Sequence, residues 1–184
     1  MHDIAKPQCA SMEPDGYMHF YGHPELGSKI AKEILTTLKF SKAEIKTITT
    51  LIYYHDEKIY ASYSDVAKWL NIFSGVFSNN KEIDFFKMLI VLKSADRFAH
   101  KPGFNKTEKI DKLAILLEEI LKANAVYKVS QLKISGEDLA KIGIGAGPEM
   151  GKLLNKCLEE VMQGKIENSN ECLLRHCKTL KKFC

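Results

Sequence analysis

The histidines and a few carboxylates are placed where they could do chemistry. His2 and Asp3 are adjacent, and His23 ends the run His19-Phe20-Tyr21-Gly22-His23. His55 and Asp56 form a second adjacent pair, and Asp96 stands in Ser94-Ala95-Asp96-Arg97. Imidazole and carboxylate groups together suit a divalent transition metal. Such a metal lowers the pKa of a bound water and polarises a phosphoryl oxygen. Asp96 closes an apolar stretch, where a carboxylate without a partner would be costly to bury. A metal, Arg97 or the N-terminus of another helix would each satisfy it. Residue types alone leave a structural role open for the whole set. The cysteines offer less. Cys9, Cys157, Cys172, Cys177 and Cys184 form no C-x-x-C pair and are odd in number, which suits a reducing cytoplasm better than a disulfide framework. Cys172, His176 and Cys177 match the spacing of no zinc module.

Helices must position these groups, because the hydrophobic period is helical almost throughout. Leu26, Ile30, Ile34, Leu35 and Leu38 form one stripe, and Ile45, Ile48, Leu51 and Ile52 a second that ends beside His55. Val66, Trp69, Leu70 and Phe73 mark a helix over 60–75. Residues 82–97 are apolar on nearly every side, which predicts a helix buried all round, with Asp96 near its end. Ile110, Leu113, Leu117, Ile120 and Leu121 predict another over 107–124. No alternating strand pattern stands out.

Breakers fall between the stripes. Pro14-Asp15-Gly16 marks a loop, and Lys101-Pro102-Gly103 ends the apolar helix. Ser135 with Asp138 reads as a helix cap. Pro148 suits the first turn of the next helix, and Gly164 its end. The expected fold is all-α, with one division: a helical domain over 1–126 and a small helical domain over 127–184.

Composition excludes other classes. The chain has 184 residues, 45% hydrophobic and 27% charged, enough for a packed core without disulfides or structural zinc. No apolar run reaches the roughly 18 residues of a membrane span, and Met1-His2-Asp3 begins no signal peptide. A cytoplasmic protein without membrane contact is expected. The net charge is +4, and all of the excess lies after residue 100: fifteen Lys and Arg against eleven Asp and Glu there, twelve against twelve before it. That hints at a polyanion partner for the second half, or at a solvated lysine-rich surface.

His2-Asp3-Ile4-Ala5-Lys6-Pro7 resembles the motif of the HD-domain metal-dependent phosphohydrolases. Gly22-His23, Tyr54-His55 and Ala95-Asp96 follow in the order that superfamily shows. Asp15-Gly16-Tyr17-Met18-His19-Phe20-Tyr21-Gly22-His23 narrows the likeness to the HD region of bacterial tRNA nucleotidyltransferases, the CCA-adding enzyme and poly(A) polymerase family. The segment Leu132 to Leu139, then Gly143-Ile144 and Gly147-Pro148-Glu149-Met150-Gly151-Lys152-Leu153-Leu154, is similar to the RNA-binding C-terminal part of those enzymes.

The resemblance implies a divalent metal (Mn, Ni, Co or Mg) held by His2, Asp3 and Asp96. It implies water attack on a phosphate ester such as a 2′,3′-cyclic phosphate, with His23, His55 and Lys6 stabilising the developing charge. In the family the nucleotidyltransferase head carries paired aspartates. No Asp-x-Asp spacing occurs here, so the chain is expected to add no nucleotides by itself. The superfamily's first metal-binding histidine lies upstream of the His-Asp pair, and Met1 directly precedes His2. The expectation is therefore the C-terminal portion of a larger polypeptide, with a shortened HD-type domain whose exposed apolar surface favours self-association.

Asp56, His100 and His176 are expected to serve no site, and His19 is either a surface residue or a site wall. Gly143-Ile144-Gly145 reads as a tight turn or as a phosphate cradle of backbone N–H groups. Lys133, Lys141, Lys152 and Lys156, with Lys128, Arg175, Lys178, Lys181 and Lys182, would track an RNA backbone. Two other readings stay open: a tRNA-binding module with a vestigial HD site, and a stand-alone HD nucleotide phosphohydrolase.

Overall fold

The computed structural model describes residues 1–14 and 16–181. Asp15, Lys182 and Cys184 lie outside the described residues, as does the side chain of Lys181. Eight helices and one short ladder make up the described chain, so the fold is all-α. Among the described residues no helix is long and apolar enough to cross a membrane. The chain divides into two compact units, Met1–Lys58 with Ile83–Asp111, and Ile59–Glu82 with the residues from Lys112 onward.

The first unit opens with successive tight turns. The N–H of Ile4 donates to the Met1 carbonyl and that of Lys6 to the Asp3 carbonyl. A 3₁₀ turn over Lys6–Gln8 follows, with Pro7 in its first turn. Strands β1 (Ser11–Met12) and β2 (Met18–His19) pair antiparallel, Ser11 opposite His19. They are too short to show alternation in sequence.

Helix α1 (His23–Thr37) starts at Gly22, whose φ of 74° is open to glycine at little cost. It buries His23, Gly27, Ala31 and Leu35. This stripe is rotated from the expected one, and Leu38 is exposed. The small residues explain the rotation: a Cβ on Gly27 would stand 3.5 Å from the His2 carbonyl and 3.6 Å from Ile4 Cγ2. The N-terminal segment lies where a larger side chain would be.

Helix α2 (Lys42–Tyr54) is fixed at its start by a reciprocal capping box between Ser41 and Glu44. It packs along α1 and buries Ile52. Within this unit, the later turns of an 18-residue helix over Lys81–Phe98 bury Phe85, Phe86, Leu89 and Ile90. The expectation of burial all round fails here. Met88, Val91 and Phe98, one face at spacings of three and seven, are exposed. Asp96 is likewise only half-buried, its side chain 38% accessible.

In the second unit, α3 (Tyr63–Val76) is capped by Ser62, whose hydroxyl accepts from the Asp65 N–H. It buries Val66, Ala67, Trp69, Leu70 and Phe73. The long Lys81–Phe98 helix, α4, begins here with Glu82, which is fully buried. The Glu82 carboxylate is held by the Lys128 ammonium at 2.5 Å and the Tyr127 hydroxyl at 3.2 Å. Helix α5 (Glu108–Lys122) contributes Leu113, Leu117 and Ile120 to the core. Helix α6 (Gly136–Lys141) starts on the expected Ser135–Asp138 capping box, and α7 (Pro148–Met162) carries Pro148 in its first turn. Gly164, at φ 68°, ends α7, and the Lys165 N–H returns to the Glu160 carbonyl at 2.9 Å. Helix α8 (Asn170–Lys181) packs on α6 and α7, where the buried thiols of Cys157 and Cys177 stand 3.4 Å apart.

Candidate functional site

The site lies within the first unit, where four separate segments meet. The N-terminal turns supply His2, Asp3 and Lys6. His23 opens α1 and His55 closes α2, and Asp96 comes from the last turns of α4. Each imidazole at a helix end turns back on its own backbone. His23 Nδ1 lies 2.8 Å from the Phe20 carbonyl, and His55 Nδ1 2.6 Å from the Ile52 carbonyl. A carbonyl only accepts, so both Nδ1 atoms carry a hydrogen, and in the neutral imidazoles both Nε2 atoms present lone pairs.

Those two Nε2 atoms face each other at 3.2 Å. The Asp3 Oδ1 atom stands 3.6 Å from the first and 3.4 Å from the second. This oxygen is buried and has no hydrogen-bond donor. Two lone pairs and a carboxylate oxygen repel one another unless a proton or a cation sits among them. Around the same carboxylate a second triad forms. His2 Nε2 is 3.4 Å from Asp3 Oδ2 and 3.3 Å from Asp96 Oδ1. In each triad one donor atom per residue lies within 4.8 Å of the others, which matches the nitrogen and oxygen chemistry a divalent transition metal takes. The orphaned oxygen and the donor set thus fit a metal.

Lys6 completes the constellation differently from a free cation. Its ammonium donates to Asp3 Oδ2 at 2.7 Å and lies 5.7 Å from the centre of the Phe20 ring. Burial alone would raise the Asp3 carboxyl, but the Lys6 hydrogen bond and the positive potential of His2, Lys6 and His55 outweigh it and hold the group below its ordinary value. For His55, burial is the largest influence and pushes the imidazole below the usual histidine range. The Ile52 carbonyl and Asp3 pull the other way.

Lys93 is a site residue that the sequence reading missed. Its ammonium donates to the His55 and Glu57 carbonyls, each at 2.6 Å, and so fixes the C-terminal end of α2 where His55 is carried. Burial pushes this lysine below its ordinary value, against the pull of Asp56, Glu57 and Asp96. The signal was present: a lysine in an otherwise apolar run, three residues before Asp96.

Arg97 does not neutralise Asp96; its guanidinium reaches the Phe104 carbonyl at 3.4 Å. His100 stands 3.9 Å from Asp96 Oδ2. A cleft of about 590 Å³ adjoins the cluster, lined by Lys6 and His23 together with His19, Tyr21, Tyr53 and Asp56. His19 lines this cleft and is partly exposed.

The lysines expected to meet RNA are spread over the second unit. Lys133 lines one shallow cleft with Ser135. Lys152 and Lys156 line another, beside Gly143, Ile144 and Gly145. Lys141 pairs with Asp138 at 3.2 Å, and Lys156 with Glu160 at 3.7 Å. Gly143 and Gly147 both have positive φ, which only glycine adopts readily.

The family tRNA nucleotidyltransferase domain 2 matches residues 20–177. The chain is 27% identical over 172 residues to the CC-adding tRNA nucleotidyltransferase of Thermus thermophilus, covering 92% of this chain and 36% of that protein. It is 26% identical over 176 residues to the A-adding tRNA nucleotidyltransferase of Deinococcus radiodurans, covering 93% and 38%. A 48-residue stretch is 42% identical to the CCA-adding enzyme of Lactobacillus delbrueckii, covering 26% and 12%. The chain thus spans little more than a third of the first two relatives. No solved structure matches it.

Proposed function

The chain belongs to the tRNA nucleotidyltransferase domain 2 family, and on that premise we propose that its histidine–aspartate cluster is a metal-dependent phosphohydrolase centre and that its C-terminal helices bind tRNA or other RNA. One observation carries the first half: the buried Asp3 Oδ1 has no donor and faces two imidazole lone pairs. Asp3, His2 and Asp96 would hold the metal, with His23 and His55 beside Asp3. Lewis acidity toward water and toward a phosphoryl oxygen is what a divalent metal supplies when bound to such groups. The chain's own groups do the rest. The carbonyls of Phe20 and Ile52 fix the two imidazoles with Nε2 turned toward Asp3; a protonated Nε2 there would stabilise developing charge on the ester. The Lys6 ammonium, held at Asp3, offsets phosphate charge. A 2′,3′-cyclic phosphate is the ester we propose, since ring strain eases cleavage of its P–O bond and the departing sugar oxygen takes its proton from solvent or from a protonated imidazole of the cluster.

A second reading has one observation in its favour. Lys6 already neutralises Asp3 at 2.7 Å and competes with a metal for it. On that reading the cluster is vestigial and the chain only binds RNA.

The test is metal content after incubation with Mn²⁺, Ni²⁺ and Co²⁺ and removal of free ion, with Asp3→Ala beside the parent, followed by hydrolysis of a 2′,3′-cyclic nucleotide. Near-stoichiometric metal and hydrolysis in the parent alone support the enzyme. Metal in neither protein, with tRNA binding retained in both, supports the second reading. Self-association through the exposed face of α4, Met88, Val91 and Phe98, belongs to the same proposal. A monodisperse monomer in light scattering would count against it.

A further inference from the structure

The geometry points to the cleft beside the cluster as a nucleobase-binding subsite, so that the ligand presented to the histidines is a nucleoside phosphate. This rests on the phosphohydrolase reading of the cluster. The cleft holds about 590 Å³, within the range of pockets that enclose small ligands. His23 and Lys6 line it and also belong to the cluster, so cleft and cluster share a wall. Tyr21 lines it as well. Its ring lies parallel to that of His19, 5.3 Å between centres and 7° between planes. The Tyr21 hydroxyl and His19 Nδ1 are hydrogen-bonded at 3.2 Å, which holds the pair flat.

Despite this partner, Tyr21 is 69% exposed, enough open surface for a further ring to stack on it. Gly22 separates Tyr21 from His23 in the left-handed conformation, at φ 74°. The same two-residue turn therefore carries the flat platform and the buried imidazole. Tyr53 adds a second exposed ring to the lining, and Lys58 a second cation. A sugar phosphate would use the cations and leave the rings in water. An apolar ligand would do the reverse. A flat aromatic base joined to a phosphate uses both, and base–aromatic stacking is strong enough to show in affinity. The carboxylates of Asp56 and Glu57 also line the cleft. They repel phosphate and accept from exocyclic amino groups, which orients the base away from Lys6 and the phosphate toward it.

The test is calorimetric titration of the full chain with adenosine 5′-monophosphate and with ribose 5-phosphate, which differ only in the base. The nucleotide is expected to bind about tenfold more tightly. Tyr21→Ala should erase that ratio and Tyr21→Phe should keep it, both with parental circular dichroism. Equal affinities, a ratio untouched by Tyr21→Ala, or binding of neither probe would overturn the subsite. A short oligoadenylate that binds more tightly than the mononucleotide, with the same Tyr21 dependence, identifies an RNA end as the source. Equal affinity identifies the free nucleotide, and either result keeps the nucleoside phosphate. Hydrolysis by the metal-treated chain is read on the same proteins. A base-dependent ratio without hydrolysis overturns the phosphohydrolase reading and leaves the subsite standing. Hydrolysis without base dependence does the opposite.

Discussion

Replacing Lys93 by methionine isolates what positions His55. The ammonium donates to two carbonyls at 2.6 Å, one on His55 itself and one on Glu57. A hydrogen bond from a charged donor contributes roughly 1.5–3 kcal/mol. Two at the lower bound give about 3 kcal/mol. Methionine keeps an unbranched apolar stem, one atom shorter, and relieves the cost of burying a charge, which returns about 1 kcal/mol. The expected net loss is about 2 kcal/mol, or a fall of roughly 4–8 °C in Tm for a chain of this size. The loss is local, so amide exchange over residues 52–57 should accelerate more than exchange over α1. Affinity for Mn²⁺ or Ni²⁺ should drop about 10–100-fold, as when the outer partner of a metal ligand is removed. Calorimetric unfolding, hydrogen exchange and metal titration on the same variant give the three readings. A variant that loses stability while its 52–57 exchange and metal affinity stay parental would refute the positioning role and leave Lys93 as scaffold.

Glu82→Gln should cost about 3 kcal/mol in a denaturant titration, because it leaves the Lys128 ammonium beside a neutral, fully buried side chain. Gly27→Ala should be neutral or stabilising by about 0.5 kcal/mol, since the added Cβ meets its neighbours at 3.4 Å or more and alanine suits a helix interior. Gly27→Val should instead displace His2 and weaken metal binding, measured by the same titration. Affinity for tRNA should fall steeply between about 50 and 200 mM salt, and Lys152→Gln with Lys156→Gln should flatten that dependence by about two phosphate contacts; a salt-independent isotherm would sink the RNA reading.

What the sequence made legible was local chemistry. The Ser135–Asp138 box, Pro148 at the head of α7 and Gly164 at its end act within one helical turn, so residue types alone reveal them. Residues 60–75 and 107–124 were also placed well, because their stripes face a core. The stripe of α1 was misplaced, since its burial depends on what lies against Gly27 and Ala31. The outer face of α4 was read as buried because Met88, Val91 and Phe98 are apolar, and period alone cannot say which apolar face meets a neighbour. In the candidate site, His2, Asp3, His23, His55 and Asp96 were named through family spacing, as ligands on one side and charge stabilisers on the other. The geometry puts Asp3 in both groups. Lys93 stands out as a lysine in an apolar run, but its partners, the main-chain carbonyls of His55 and Glu57, leave no mark in residue type.

The His2–Asp96 contact joins residues 94 apart in the chain. Closing a loop of that length costs roughly 4 kcal/mol of chain entropy, and the buried Asp3 Oδ1 beside it has no donor until a proton or a cation reaches it. The contact should therefore be among the last to form in refolding and the first to open. A cation present during folding would act as a late clamp. It would slow unfolding while leaving the folding rate almost unchanged, because a constraint absent from the transition state acts on one limb only.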